Sequence, residues 1–180
     1  GILAAAAPGT VMIDSSTIDV GSAQAVHEAA KSAGFNMIDA PVSGGVIGAD
    51  AGTLTFMCGG DKDSFEKAKP ILQGMGKNIV HCGSGGLGQA TKICNNMLAG
   101  INALAAAEAM TMGERLGVPP DTLYKVISTS TGRSYIFETS NPMPDVCSTS
   151  PANNKFKPGF MAKLMLKDLR LSQAAAQDAK

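Results

Sequence analysis

The chain has 180 residues, 44% of them apolar, and 15 basic side chains offset 15 acidic ones. That composition supports one ordinary core or two small ones, and it excludes a disordered or fibrous chain. Zero net charge with no block of like charge leaves no electrostatic case for nucleic acid or an anionic membrane. The four cysteines (58, 82, 94 and 147) form no C-x-x-C and no metal-ligand spacing with the two histidines. They are expected to be reduced thiols, and no metal site is expected. The apolar opening Gly1-Ile-Leu-Ala has no basic flank, and the last helical pattern stops without a cap. Both features are expected of an internal piece of a longer protein.

Along the first eighty residues strands and helices alternate. Thr10 to Ile13 is an apolar run between Pro8-Gly9 and the polar Asp14-Ser-Ser-Thr17, so it reads as a buried strand ending in a loop. Ser22 to Ala33 has helical spacing and stops at Gly34. Phe35 to Ala40 is a second strand, closed by Pro41 and the turn-forming Ser43-Gly44-Gly45. Thr53 to Cys58 is a third strand and Ile79 to Cys82 a fourth. Between them lies a helix over 61–73, in which Pro70 should disturb the second half. This alternation predicts an α/β sheet.

Gly83-Ser-Gly85-Gly-Leu-Gly88 then matches G-x-G-x-x-G, the glycine pattern that cradles a dinucleotide pyrophosphate. The pattern needs a second strand ending in an acid about 20 residues later. Glu108 has that separation but falls inside a helical run, so these glycines are expected to turn the chain out of the sheet. From residue 89 to 116 no proline occurs and apolar residues recur at helical spacing, predicting a helix of ~40 Å. Its apolar part, Met97 to Gly113, carries Asn102 and Glu108, which makes it a buried helix rather than a membrane span. Further helices are expected at 121–128 and 160–179, separated by a Pro-, Ser- and Asn-rich loop over 139–159.

Lys92, Asn95 and Asn96 stand in the first turns of the long helix. Lys92 and Asn96 are four apart and share a face. Asparagines are poor helix formers, and two beside a lysine favour a polar cleft over a solvated surface. Other polar groups have plain alternatives: Ser43-Gly44-Gly45 as a turn, Thr17 as a loop cap, Lys167-Asp168 as a solvated helix face. His27 and His81 have no ligand partner in the sequence and are left outside the site.

Asp39-Ala-Pro-Val-Ser-Gly-Gly45, Gly52-Thr-Leu-Thr-Phe-Met57, Gly85-x-x-Gly88-x-x-x-Lys92-x-x-x-Asn96 and Lys167-Asp168-Leu169 resemble the β-hydroxyacid dehydrogenase family in order and spacing. Asn141-Pro-x-Pro144 and Pro151-Ala-Asn-Asn154 are similar to it as well. The resemblance implies the C-terminal part of a Rossmann-type dinucleotide-binding domain over 1–84. An all-α domain would follow over 85–180, joined through the long helix at about 89–116. The phosphate-binding glycines would lie upstream of residue 1.

The resemblance further implies an NAD-dependent oxidoreductase acting on a small hydroxy acid such as 3-hydroxyisobutyrate. Lys92 would be the general acid/base, with Asn96 aligning lysine and substrate and Asn95 in support. Ser43, Gly44 and Gly45 would bind the substrate carboxylate. Thr17 and Lys167 would contact NAD, with Asp168 orienting the lysine. Arg133 is a further candidate for a carboxylate. The implied partners are the hydroxy acid and further copies of the chain, as dimer or tetramer, with no nucleic acid and no membrane. The implied compartment is the mitochondrial matrix in a eukaryote or the cytoplasm in a bacterium. A tartronate-semialdehyde or other short-chain semialdehyde reductase is the enzymatic alternative. The non-enzymatic alternative is a helical interaction module.

Overall fold

A computed structural model describes residues 1–179. The chain forms two compact units, one of residues 1–95 together with the stretch from 167 onward, the other of residues 96–166.

The first unit is α/β. A short helix α1 (Ile2–Ala5) precedes β1 (Val11–Asp14), α2 (Val20–Ser32) and β2 (Asn36–Asp39). Then come β3 (Val42–Ser43), α3 (Gly45–Asp50), β4 (Leu54–Gly59), α4 (Lys62–Gln73), β5 (Gly76–Gly83) and the beginning of α5 (Leu87–Arg115). α2 and α4 start where the sequence supplies caps. Asp19 accepts from the Ser22 N–H at 2.7 Å to open α2, and Asp61 accepts from the Ser64 N–H at 2.8 Å to open α4. Gly34, at φ +77°, ends α2 as only glycine does without strain.

The five strands make one sheet. β1 and β2 are parallel, from Val11 opposite Asn36 to Asp14 opposite Asp39, and β4 and β5 are parallel too. Asp39 is also the residue of β2 that meets β4, opposite Gly59. β3 pairs antiparallel with β4 through Val42–Phe56 and Ser43–Thr55. Ile38, Leu54, Phe56 and Cys58 of the sheet pack with Phe65, Ala68 and Leu72 of α4 into the core. Ile38 and Leu72 are wholly buried, and each contributes about 2 kcal/mol of apolar burial.

The second unit is all-helical. The rest of α5 packs with α6 (Pro120–Ser128) and α7 (Tyr135–Thr139), followed by a 3-10 turn at Pro151–Asn154. Ala106, Met110 and Phe137 form its core, with Leu123 and Ile127 against them. Tyr124 stacks on Phe137 at 5.6 Å and donates to the Glu138 carbonyl at 2.8 Å. The last helix, α8 (Ala162–Asp178), begins in this unit and ends in the first.

Four strands and the long helix stand where the sequence predicts them, with small differences at their ends. Elsewhere the structure departs from it, and α1 and α7 have no counterpart in the sequence expectations. The turn expected at Ser43-Gly44-Gly45 is the junction of β3 and α3. Glycine-rich α3 is held by packing on β4, where Gly48 lies close to Leu54. The expected loop over 139–159 contains the 3-10 turn, opened by Pro151 and by Ser150 accepting from the Ala152 N–H. α4 runs through Pro70 to Gln73 as one helix.

Candidate active site

Where strands end, their loops need partners for backbone groups that no neighbouring strand satisfies. After β1, Gln89 supplies them. Its side chain, wholly buried, donates from Nε2 to the Ser16 carbonyl at 2.8 Å and accepts at Oε1 from the Ile18 N–H at 3.1 Å. One amide thereby grips the loop on both sides of Thr17. Lys167 of α8 completes the grip, its Nζ donating to the Thr17 carbonyl at 2.8 Å.

After β2, the terminal residue is itself the anchor. Asp39 is wholly buried. Its Oδ1 accepts from His27 Nε2 at 2.8 Å and from the Gly86 N–H at 2.8 Å, and its Oδ2 accepts from the Gln89 N–H at 2.9 Å. Because the carboxylate only accepts, His27 carries its proton on Nε2. Burial alone would raise the Asp39 pKa, but the hydrogen bonds from His27, Gly86 and Gln89 outweigh it and hold the carboxyl below its ordinary range. The carboxylate thus caps the start of α5, where unpaired N–H groups and the helix dipole favour an anion.

That contact explains the glycine run. A Cβ on Gly88 would lie 2.3 Å from the Met57 carbonyl and 2.7 Å from Asp39 Oδ2, and one on Gly85 would lie 2.6 Å from the His27 ring. Gly59, opposite Asp39, is equally close, with a Cβ placed 2.5 Å from Oδ1. The G-x-G-x-x-G segment does enclose an anion at a helix N-terminus. The anion is a side chain of the protein.

One turn into α5, Gln89, Lys92, Ile93 and Asn96 form its buried face, while Thr91, Cys94 and Asn95 are exposed. Lys92 is only 8% exposed. Burial lowers its pKa, the Asp168 carboxylate opposes that shift, and Lys167 adds to it. Asp168 is 2% exposed and holds Lys167 Nζ at 3.0 Å. α8 is fastened to the same turn of α5 by Ser172, whose hydroxyl donates to the Ile93 carbonyl at 3.3 Å.

The residues singled out in the sequence therefore fall into distinct environments. In the first unit a hydrogen bond joins Thr17 to Lys167 and an ion pair joins Lys167 to Asp168, whose charge in turn acts on Lys92. Ser43 ends β3 and Gly44, at φ +133°, caps α3, with Gly45 as its first residue. Asn96 is buried at the start of the second unit and Asn95 is exposed beside it. Arg133 is bound by Glu138 at 3.0 Å. Asp39, Gln89 and His27 had no role assigned from sequence. The signal for the first two is a polar residue within an apolar run. His27 carried none.

Residues 1–83 match the family model described as the NAD binding domain of 6-phosphogluconate dehydrogenase. Residues 86–180, more than half of the chain, match the model described as NAD-binding of NADP-dependent 3-hydroxyisobutyrate dehydrogenase. The chain belongs to the 3-hydroxyisobutyrate dehydrogenase family. A solved structure of the Mycobacterium tuberculosis 3-hydroxyisobutyrate dehydrogenase with L-serine superposes with a TM-score of 0.93 at 49% identity, over 98% of this chain and 61% of that one. The NAD-dependent L-serine dehydrogenase of Pseudomonas aeruginosa is 48% identical over 98% of this chain and 59% of its own. The human mitochondrial 3-hydroxyisobutyrate dehydrogenase is 46% identical over 100% of this chain and 54% of its own. The chain thus spans little more than half the length of these relatives. Within the 3-hydroxyisobutyrate dehydrogenase family this chain holds a Rossmann-type α/β part followed by a helical one, and both matched models are NAD-binding. No helix among the described residues is long and apolar enough to cross a membrane.

Proposed function

We propose that this chain carries the proton-handling and substrate-binding residues of an NAD-dependent 3-hydroxyisobutyrate dehydrogenase, a step of valine breakdown that yields methylmalonate semialdehyde. The observation that carries the reading is Lys92, a buried lysine whose proton affinity is lowered by its surroundings. Oxidising a primary alcohol to an aldehyde removes a hydride from the carbinol carbon and a proton from its oxygen. Lys92, in its deprotonated form, takes that proton as the C–O double bond forms, and returns it in the reverse direction. NAD, when bound, supplies the hydride acceptor.

Thr17 and Lys167 would hold the cofactor. The fit rests on the loop beyond β1, where sheets of this kind take nucleotides, and which Gln89 and Lys167 pin in place. Asp168 orients Lys167 through their ion pair. Ser43, Gly44 and Gly45 receive the substrate carboxylate, because glycine lets an anion approach the backbone closely. Asn96 aligns the substrate four residues beyond Lys92, and Asn95 supports it. In this reading residues 1–84 end the dinucleotide-binding domain, 85–180 begin the helical one, and α5 joins them.

Leu98, Ile101, Leu104 and Met112 along α5, with Leu116 just beyond its end, are each more than half exposed. Such a face calls for a cover, which further helices of the kind the longer relatives have room for, or a second copy, would supply; a dimer or tetramer is the assembly proposed. The compartment is the mitochondrial matrix in a eukaryote and the cytoplasm in a bacterium.

In the natural polypeptide, Lys92→Ala is expected to lower kcat by about 10² to 10⁴ while the fold is kept. Near-normal turnover of that variant overturns the reading. L-serine is the rival substrate, favoured by the relative named for it and by the relative whose solved structure is with L-serine. It keeps the carboxylate and the primary hydroxyl but carries an ammonium where 3-hydroxyisobutyrate has a methyl. Comparing kcat/KM for the two acids, and for reduction of tartronate semialdehyde, decides among them.

A further inference from the structure

Four strands end at one level of the sheet, and β5, whose last residue Gly83 lies opposite Gly59, leads on into α5. Asp14 and Gly59, the last residues of β1 and β4, are the register partners of Asp39, the last residue of β2. Asp39 is therefore fixed through its backbone by the sheet. Through its side chain it grips Gly86 and Gln89 at the start of α5. Gln89 precedes Lys92 by three residues, less than one helical turn. Ala40 and Pro41, both buried, separate Asp39 from β3 and Ser43. One side chain thus relates the helix carrying the lysine to the segment proposed to bind the carboxylate.

We propose that Asp39, held in place by His27, is a positioning residue that sets Lys92 and the Ser43–Gly45 segment in register for catalysis. The inference rests on the reading of Lys92 as the proton-handling group. The chemistry demands a carboxylate at this place. His27 and Gly86 donate to one oxygen and Gln89 donates to the other. An asparagine in either orientation turns its NH₂ toward a donor, so at least one of the three bonds becomes a clash of donors. The surrounding glycines leave the side chain no space to move aside, since a Cβ at Gly59 or Gly88 would already lie within 3 Å of its oxygens. Loss of the grip is therefore relieved by movement of α5. A misplacement of about 1 Å at a reacting group is worth about 10² in rate.

The test uses the natural polypeptide with NAD and 3-hydroxyisobutyrate. Asp39→Asn is expected to lower kcat by about 10², with KM for both ligands little changed and near-native circular dichroism. His27→Leu, which removes the donor, is expected to lower kcat in the same direction by less. His27→Gln, whose Nε2 replaces the imidazole Nε2, is expected to restore it. A folded Asp39→Asn with the wild-type kcat overturns the proposal. Should Asp39→Asn not fold, the His27 pair decides: equal kcat in His27→Leu and His27→Gln overturns it, and restoration by Gln supports it. Lys92→Ala separates the two layers. If it is active, the functional reading fails. If it is inactive while folded Asp39→Asn is fully active, only the positioning role fails.

Discussion

Two groups of glycines flank the candidate site, and they are glycine for opposite reasons. Gly45 is exposed at φ +59°, and a Cβ there would touch nothing within 4 Å. Gly88 is buried, and a Cβ there would lie 2.3 Å from the Met57 carbonyl. The first needs a backbone conformation that other residues adopt reluctantly, and its surroundings stay open to an incoming molecule. The second needs the absence of a side chain, because the ends of β2 and β4 and the Asp39 carboxylate converge on it. A glycine pattern alone does not separate these cases, although one concerns ligand approach and the other concerns assembly of the fold.

The comparison is broken most forcefully at Gly88. Gly88→Ala forces a methyl against backbone, which cannot rotate away as a side-chain tip can. It is expected to cost about 3 kcal/mol or more, at or above the upper end of ordinary overpacking. Urea unfolding should show the loss as a lower midpoint, and an unchanged midpoint means that the close approach of α5 to β4 is wrong.

A smaller effect is expected from acid. The Asp39 pKa is lowered on folding, so its contribution to stability is present above the unfolded carboxyl value, about 3.9. It is lost as pH falls through the lower folded value. Below about pH 4 the stability difference between the natural protein and Asp39→Asn should therefore shrink. Asp19 and Asp61, which cap α2 and α4 and are lowered as well, titrate in both proteins and cancel in the difference. A difference that stays constant down to the acid transition means that Asp39 gains no hydrogen-bond stabilisation as an ion.

How much of this was legible before the structure depends on the range of the forces involved. β1, β2, β4 and α5 are marked by local signals: apolar runs closed by glycine, proline or polar residues, and unbroken helical spacing. β5 begins at Gly76, earlier than its apolar run indicates, because its parallel pairing with β4 is a backbone matter that side-chain pattern does not record. α3 was hidden, since Gly45-Val-Ile-Gly has poor intrinsic helix preference and is held by packing. Lys92 and Asn96 could be picked out as polar groups on an apolar helix face. Asp39 could not be given its role, because its donors Gly86 and Gln89 lie 47 and 50 residues away. His27 has no ligand partner in the sequence for the same reason. Its partner is set by the packing of α2 on β2, which no local signal encodes.

The smallest effect on stability is expected at Gly45, and it sharpens the contrast from the other side. Gly45→Ala places a methyl in open space, so its cost is conformational: about 1 kcal/mol for a left-handed residue that is no longer glycine. If the stretch Ser43–Gly45 receives the carboxylate, the same methyl stands where the substrate must approach. KM for the hydroxy acid should then rise while the affinity for NAD and the unfolding midpoint change little. Gly88→Ala should show the reverse, with a large shift in midpoint and, in whatever fraction remains folded, a loss of kcat through displaced Lys92. Measuring midpoint, KM and kcat for both variants separates a glycine kept for a ligand from one kept for packing. If Gly45→Ala proves to alter only the midpoint, the carboxylate contact must be sought on other residues.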